Sequence, residues 1–230
     1  MSERINYQTD LLNRGDENRV GKGVTYVECP NFIDPEIMRR KRSVFLAGGI
    51  SGCPDWQSEM VELLKGTDII LFNPRRRNFP IDDLNATEEQ INWEDHYLFH
   101  ADSILYWFCE ETLQPIVMNE HGQYARTLKP IFVGIHPNYQ RRLDIELRTK
   151  RPDVKIVYNL QDLAEQVIAY HVPIADVPGL SDEAKTHLAS SNLPAGEWAQ
   201  FITINNGYIA GMNQELLDEL KVNLASLGLL

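Results

Sequence analysis

Long hydrophobic runs are missing from this sequence. No uninterrupted apolar stretch approaches the ~18 to 20 residues that a bilayer-spanning helix needs. The opening residues, MSERINYQTD, are polar and contain no signal-peptide core. We therefore expect a cytoplasmic protein without a membrane partner.

Cysteine is also scarce. Cys29, Cys53 and Cys109 are odd in number and lie 24 and 56 residues apart, so they form neither a disulfide framework nor a CxxC metal-binding motif. Free thiols are expected. His96 and His100 are four residues apart on one helical face, but no third ligand stands at a spacing typical of zinc sites. The sequence thus predicts no metal and no cofactor.

Positive charge is the third deficit. The chain has 22 Lys and Arg against 33 Asp and Glu, a formal net charge of -11. Such an excess of negative charge repels phosphate backbones, so we expect no nucleic-acid polymer as a partner. Hydrophobic residues at 43 % and charged residues at 24 % are typical of a globular protein. At a prior of about 150 residues per domain, 230 residues predict one full-sized domain with appendages.

The composition divides the chain into three segments. Residues 1–42 are polar and are interpreted as an N-terminal extension, although residues 23–29 form a β-like run. Residues 43–170 form the predicted main domain. Residues 171–230 are interrupted by Pro173, Pro178 and Pro194, contain 7 acidic against 2 basic residues, and are predicted to be a small α+β appendage. In that appendage, Asn206-Gly207 predicts a β-hairpin between residues 201–205 and 208–210, followed by a helix over residues 213–224.

Short apolar runs alternate with helical segments in the main domain. The five runs are residues 43–47, 68–72, 103–108, 130–135 and 154–158. This alternation predicts a doubly wound α/β fold with a five-stranded parallel sheet in the flavodoxin-like order 2-1-3-4-5. Ligands bind such sheets at the switch point between strands one and three, beyond their carboxyl ends. The site should therefore follow Ala47 and Phe108.

A glycine-rich loop follows the first predicted strand and leads into a helix. Glycine lets the backbone approach a ligand, and a helix N-terminus offers unpaired N–H groups to oxygen-rich or anionic ligands. The loop has neither GxGxxG spacing nor the Lys-Ser/Thr pair of a P-loop, and a purely structural turn is the alternative. Its candidate binding residues are Gly48, Gly49, Ser51, Gly52, Asp55 and Trp56.

Two further groups of residues flank the predicted switch point. The loop Asn73-Pro74-Arg75-Arg76 offers forked donors for a planar base or a carboxylate, or else is a solvated edge. Glu94 and Glu120 lie on different predicted helices that border the switch point. Paired carboxylates are what glycosyl transfer requires, whereas ordinary acids on a helix surface are the alternative.

Short motifs in a fixed order along residues 43–158 resemble the nucleoside 2-deoxyribosyltransferase-like family over half of the chain. The motifs are VFLAGGISG (44–52), DWQ (55–57), NPRR (73–76), WE (93–94), AD (101–102) and EHG (120–122). The resemblance implies a flavodoxin-like fold and a homo-oligomer. It also implies that Glu120 is the nucleophile that attacks C1′ of a 2′-deoxynucleoside. Glu94, eight residues before Asp102, would bind the sugar and orient the nucleophile.

The substrate stays open because residues 110–115 match neither the nucleoside-specific nor the nucleotide-specific pattern of the family. We expect a nucleoside or nucleotide substrate, held also by Asn73, Arg75, Arg76, Trp93 and Asn119. A free base is the expected acceptor, since four aromatic side chains offer a stacking surface: Trp56, Phe79, Trp93 and Tyr97. Water is the competing acceptor. The alternatives are an NAD or nucleotide glycohydrolase and a non-catalytic nucleotide-binding module.

Overall fold

The computed structural model describes residues 7–8, 25–77, 79–80, 83–188, 191, 193–205, 207, 209 and 212–230. The chain divides into two compact units, Met1–Ala164 and Glu165–Leu230. The predicted domain boundary follows residue 170, whereas the observed division falls inside one helix, Leu160–His171. No helix in the described part of the chain is long and apolar enough to span a membrane.

Unit 1 is built around a parallel six-stranded sheet of order β2-β5-β4-β6-β7-β8. A separate parallel pair joins β1 to β3. The strands are β1 Tyr7–Gln8, β2 Thr25–Glu28, β3 Phe32–Ile33, β4 Arg42–Gly48, β5 Ile69–Asn73, β6 Ser103–Phe108, β7 Ile131–Ile135 and β8 Ile156–Val157.

The predicted α/β fold is confirmed, with one correction to the strand count. The five predicted strands are β5, β4, β6, β7 and β8, and they lie in the predicted order. The sixth strand is β2, which pairs with β5 through Tyr26 opposite Leu71. The five-stranded prediction was wrong because β2 is a short edge strand in a polar segment, and only its pairing with a distant strand fixes it. The first strand of the sheet therefore lies within residues 1–42, in the β-like run 23–29 of the segment that the sequence predicts to be an extension outside the main domain.

Helices cover both sides of this sheet, and α2 shows how local residues set where a helix begins and ends. Asp55 caps α2, where its carboxylate accepts a hydrogen bond from the Ser58 backbone N–H at 3.3 Å. Gly66, with φ +88°, follows the end of α2. The helices of unit 1 are α1 Pro35–Met38, α2 Trp56–Leu63, α3 Leu84–His100, α4 Pro115–Tyr124 and α5 Arg142–Arg148, and α6 Leu160–His171 starts in this unit.

The core under α3 and α4 is aromatic. Trp93 and Tyr97 of α3 pack against Phe45 and Phe72 of the sheet, with the Tyr97 and Phe72 rings stacked at 3.9 Å. The polar atoms of these two α3 residues are used within the protein. Trp93 Nε1 donates to the Asn31 carbonyl at 2.7 Å, and Tyr97 Oη accepts from the Ile33 backbone N–H at 2.9 Å. These rings hold α3 on the sheet and fix the direction of its other side chains.

Unit 2 has its own core of aliphatic residues from short helices. Its elements after α6 are a 3₁₀ turn Ile174–Asp176, α7 Asp182–Leu188, α8 Ala195–Ile204 and α9 Gln214–Ser226. The predicted helix over 213–224 is confirmed, and Asn213 caps it by accepting from the Leu216 N–H at 2.8 Å.

The predicted β-hairpin was wrong, because residues 201–204 form the last turn of α8. Gly207 has φ +78°, and its N–H donates to the Ile202 carbonyl at 2.8 Å. A glycine with positive φ ends helices as well as forming hairpin turns, so the same local signal fits both structures. The partner residues 208 and 210 lie outside the described residues.

Candidate active site

A cavity of about 370 Å³ lies beyond the carboxyl ends of β4 and β6. The loop residues Gly48, Gly49 and Ser51 line it, and so do Glu94 of α3 and Glu120 of α4. Strands β4 and β6 are direct neighbours, with Gly48 opposite Trp107, so the segments that follow them emerge side by side. The two carboxylates and the glycine loop therefore share one cavity at the switch point of the sheet.

Glu120 is an acid whose charged form is disfavoured. Burial contributes most, followed by the negative charges of Glu94 and Asp95, and together they raise the pKa of Glu120 from 4.5 to about 8. Glu120 is thus half ionised near pH 8. A positive charge that develops in the cavity would favour its ionised form.

Glu94 is held by a neighbouring glutamine. Burial raises the pKa of Glu94, while the hydrogen bond from Gln90 and the charge of Arg76 oppose that rise. Gln90 Nε2 donates to Glu94 Oε1 at 2.6 Å and to the Pro74 carbonyl at 2.7 Å. The Cys29 thiol donates to Gln90 Oε1 at 3.0 Å, which fixes the orientation of the amide. Gln90 was not predicted, although its position four residues before Glu94 on one helix is a usable signal.

The glycine loop is shaped by close packing behind it. A Cβ on Gly48 would lie 2.4 Å from Trp56 Cζ2 and 2.6 Å from the Trp107 carbonyl oxygen. A Cβ on Gly49 would lie 2.4 Å from Cys53 Sγ. Gly52 has φ +72°, a conformation that favours glycine. Trp56 is therefore a wall behind the loop, and its Nε1 donates to the Gly49 carbonyl at 3.0 Å.

Arg75 fastens this loop from the side. Its guanidinium donates to Gln57 Oε1 at 2.8 Å and to the Pro54 carbonyl at 2.7 Å, and it also reaches the Gly49 and Cys53 carbonyls. Its Nε lies 3.5 Å from Asp55 Oδ1. Arg75 and Asp55, which the sequence predicts to contact the ligand, contact each other and the loop, and neither lines the cavity formed by the described residues; their contact with a ligand stays a prediction.

Replacing Arg75 by lysine should destabilise unit 1. Arg75→Lys keeps the charge but loses the fork that reaches several carbonyls at once, so we expect a loss of about 1–3 kcal/mol in the free energy of unfolding. Urea denaturation followed by circular dichroism measures it. Arg40→Lys, at an exposed position, is the matched control and should change stability by less than about 0.5 kcal/mol. Equal midpoints for the two variants would contradict the fastening role.

Several other predicted ligand contacts do not line the cavity formed by the described residues. Asn73 is buried and donates to Tyr26 Oη at 2.6 Å, while its Oδ1 accepts from the Arg75 N–H. Arg76 pairs with Glu89. The remaining residues outside the lining are Gly52, Trp56, Trp93 and Asn119. Their contact with a ligand stays a prediction, because the local sequence does not reveal which partner a polar or aromatic side chain selects.

The predicted aromatic stacking surface is also absent from the described lining. Trp56, Trp93 and Tyr97 are at most 2 % exposed and belong to the core. Phe79 is exposed and lies under the Arg76 guanidinium, 5.7 Å from it. The apolar lining comes instead from Leu113 and Pro115–Val117, which overlap the stretch 110–115 that matches neither substrate pattern of the family.

Gln114 occupies an unusual position in that segment. Its φ of 51° is left-handed, directly before the first turn of α4. Its side chain donates to the Cys109 carbonyl at 2.8 Å, and Oε1 is buried with no hydrogen-bond partner among the described residues. A strained, buried amide beside a cavity is typical of functional sites. No signal in the sequence indicated it.

The Tyr106 hydroxyl is, after Gln114 Oε1, a second buried polar group without a hydrogen-bond partner in the part of the chain that the structure describes. Burial first, and then the negative charge of Glu120, raise the pKa of Tyr106 well above its usual value, so the hydroxyl stays protonated. The hydroxyl is therefore a buried proton donor within electrostatic range of Glu120.

The histidines offer no metal site among the described residues. His96 and His100 pack against each other with ring centroids 4.5 Å apart, without a third ligand atom in reach. His121 beside Glu120 is buried, and its Nε2 lies 2.8 Å from Thr149 Oγ1. Burial lowers the pKa of His121 to about 4, so it is neutral and joins α4 to the end of α5.

Comparison with known proteins identifies the segment that holds this site. Residues 41–139 match the family model described as nucleoside 2-deoxyribosyltransferase like. The match includes β4, the glycine loop and the helices that carry Glu94 and Glu120. No curated protein matches the chain. The resemblance seen in the motifs is therefore confirmed for this segment.

Proposed function

We propose that this chain, with its nucleoside 2-deoxyribosyltransferase-like segment, cleaves the N-glycosidic bond of a 2′-deoxynucleoside or its 5′-monophosphate. The observation that carries the proposal is the convergence of Glu94 and Glu120 on one cavity beside the glycine loop. Two carboxylates in a partly buried cavity suit a reaction that develops positive charge on a sugar.

Glu120 is the proposed nucleophile. Its carboxylate forms a bond to C1′ as the bond from C1′ to the base nitrogen breaks, and the electron pair leaves with the base, which takes up a proton. A second base or water then attacks C1′ and releases Glu120, so two inversions retain the configuration. The Tyr106 hydroxyl, which is buried without a hydrogen-bond partner among the described residues and lies within electrostatic range of Glu120, would donate to the ionised carboxylate and stabilise it.

Glu94 is the proposed orienting acid. Gln90 donates to it and holds it in place, so its free oxygen can accept hydrogen bonds from sugar hydroxyls. Its negative charge disfavours ionisation of Glu120 in the free protein, but the same charge stabilises the cationic sugar as the bond to the base breaks. This electrostatic effect is stronger in the transition state than in the ground state, as catalysis requires.

The acceptor is either a base or water. The expected stacking surface was the reason to favour a base, and its aromatic residues lie in the core or away from the cavity lining. The proposal therefore covers both transfer and hydrolysis. A homo-oligomer and a cytoplasmic location stay predictions from the family resemblance and the composition.

A chromatographic screen tests the function. The full chain is incubated with 2′-deoxynucleosides, their monophosphates and NAD, each with and without an excess of acceptor base, and Glu120→Gln is run in parallel. Release of free base from a deoxynucleoside or its monophosphate is expected. An exchanged nucleoside identifies transfer, and free sugar formed at one rate with or without acceptor identifies hydrolysis. Release of nicotinamide alone, or no release from any compound, would overturn the proposal.

The pH dependence should follow the ionisation of Glu120. Because the nucleophile must be charged and its pKa is raised to about 8, kcat/KM should rise about tenfold per pH unit below pH 8 and level off above it. Glu94→Gln removes one of the charges that raise this pKa, so the inflection should move to lower pH. Steady-state kinetics between pH 5.5 and 9.5 measures both.

Two variants serve as controls for the pH profile. Asp95→Asn removes another charge that raises the pKa of Glu120 and should also move the inflection down. Glu62→Gln, on the exposed face of α2 where Glu62 pairs with Lys65, should leave it in place. A profile that is flat between pH 6 and 9 in the unmodified protein would remove Glu120 from the nucleophile's role.

A further inference from the structure

Two of the three cysteines lie close to a carboxylate, next to residues that line the cavity. Ligand atoms of Cys53, Cys109 and Glu111 lie within 4.8 Å of one another, the one such group found among the described residues. Cys53 is half-buried in the loop after β4, and Cys109 is buried directly after β6. Glu111 is exposed. The group thus has two sulfur atoms toward the protein and one oxygen toward solvent.

The sheet explains why sequence spacing did not reveal this group. Cys53 and Cys109 are 56 residues apart, outside the spacing of any metal-binding motif. Their loops follow β4 and β6, which are adjacent and pair Gly48 with Trp107. Two parallel neighbouring strands deliver the residues after their carboxyl ends to the same place, whatever the length of chain between them.

The donor set selects a thiophilic divalent metal ion. Two thiolates and a carboxylate are ligands that Zn²⁺ takes in proteins, whereas Mg²⁺ and Ca²⁺ need oxygen ligands. Bond lengths of about 2.3 Å to sulfur and about 2.0–2.2 Å to oxygen place tetrahedral ligand atoms roughly 3.5–3.8 Å apart. The observed separations, at most 4.8 Å, require a contraction of no more than about 1.3 Å, which an exposed glutamate and a loop cysteine can supply.

We propose that Cys53, Cys109 and Glu111 bind one Zn²⁺ ion, with a water molecule as the fourth ligand. On binding, the two thiols lose their protons to solvent and the sulfur lone pairs form the bonds to zinc, with no change of oxidation state. The ion would join the loop after β4 to the loop after β6. This site is separate from the two carboxylates of the proposed reaction.

The consequence for the cavity follows from the neighbours of these ligands. A Cβ on Gly49 would lie 2.4 Å from Cys53 Sγ, so the sulfur packs directly behind a residue of the lining. Thr112, another residue of the lining, follows Glu111 and has its Oγ1 3.2 Å from Cys53 Sγ. A zinc ion bound by these three residues would therefore restrict the motion of two lining residues, Gly49 and Thr112, without itself lying in the cavity.

Metal binding to the full chain tests this site without reference to activity. The protein is reduced, stripped with a chelator, and titrated with Zn²⁺, or with Cd²⁺ to observe sulfur-to-metal charge transfer in the near ultraviolet. One equivalent should bind, protect two of three thiols from a thiol reagent and raise the thermal midpoint in proportion to ln[Zn²⁺]. Cys53→Ser should weaken binding about 100-fold and remove the charge-transfer band. Glu111→Gln should weaken binding about tenfold.

Cys29→Ser is the matched control, because Cys29 is a buried thiol outside the cluster. It should leave affinity and stoichiometry unchanged. Cys109→Ser tests the buried ligand, and the half-buried Cys53 keeps the proposal testable if that variant does not fold. Absence of the charge-transfer band would overturn the proposal. So would equal binding by the Cys53→Ser variant, or a Cys53–Cys109 disulfide that forms with oxidised glutathione in a protein that binds no zinc.

Discussion

Glu120→Gln should lower kcat by about 1,000-fold or more, because it removes the anion that attacks C1′ and changes the side-chain volume little. Substrate binding should persist, since the neutral amide still fits the cavity. Base release under saturating substrate measures the first effect, and calorimetric titration measures the second. Glu94→Gln should cost less, because an orienting group contributes geometry while the nucleophile stays in place.

Glu120→Gln should be more stable than the unmodified protein at pH values where Glu120 is ionised. The folded-state pKa of about 8 lies above the ordinary value of 4.5, so the folded protein binds more protons than the unfolded chain between these values. This contribution to stability is fully present below pH 4.5 and is lost as the pH rises through 8. Urea denaturation should therefore show the glutamine variant more stable than the unmodified protein at pH 8.5, and the difference should vanish near pH 4.5.

A covalent intermediate gives an independent check. A slow 2′-fluoro substrate should leave a sugar adduct that mass spectrometry locates on Glu120. Near-normal turnover in Glu120→Gln, or an adduct on Glu94 instead, would remove Glu120 from the nucleophile's role. Glu62→Gln, which changes an exposed acid of α2, should have normal turnover and normal stability.

Gly48→Ala should have the largest effect on stability. The added Cβ would meet the Trp107 carbonyl oxygen at 2.6 Å and the Trp56 ring at 2.4 Å. The carbonyl belongs to β6 at the register position that pairs with Gly48, so it cannot move without breaking the sheet. Overpacking of this kind costs about 1–3 kcal/mol and occasionally more, and we expect the upper part of that range. The midpoint of chemical denaturation measures it.

Gly122→Ala is the matched control for the glycine substitution. A Cβ on Gly122 meets nothing within 4 Å, and the residue is exposed within α4. Alanine should stabilise this helix by about 0.5–1 kcal/mol. If the Gly48→Ala variant were as stable as the unmodified protein, the loop could move to accommodate the added Cβ. The packing argument for the glycine loop would then fail.

Local patterns predicted the elements that local physics controls. The apolar runs of β4 to β8 mark buried parallel strands, because such strands are apolar on both faces. Helix starts at Asp55 and Asn213 follow from side chains that cap the backbone next to them. The order of elements then placed the site at the switch point, where the cavity with Glu94 and Glu120 lies.

Local patterns could not predict contacts between residues that are distant in the sequence. An arginine after a strand has the same local signal whether its guanidinium contacts a base or, as Arg75 does, neighbouring carbonyls. A tryptophan beside a glutamate can stack on a ligand or, as Trp93 does, fill the core. The sequence 201–207 suits a hairpin and a helix end equally, and packing in unit 2 selects the helix end.

The sequence by itself therefore determined the α/β architecture, the switch point and the two acids that meet there. Only the tertiary structure decided that Trp56, Trp93 and Arg75 support the site from behind, that Gln90 holds Glu94, and that Cys53 lies beside Cys109. The physical reason is the range of the interactions. Periodicity and capping act within a few residues, whereas hydrogen-bond partners, burial and metal-ligand clusters depend on chain segments that only the folded sheet brings together.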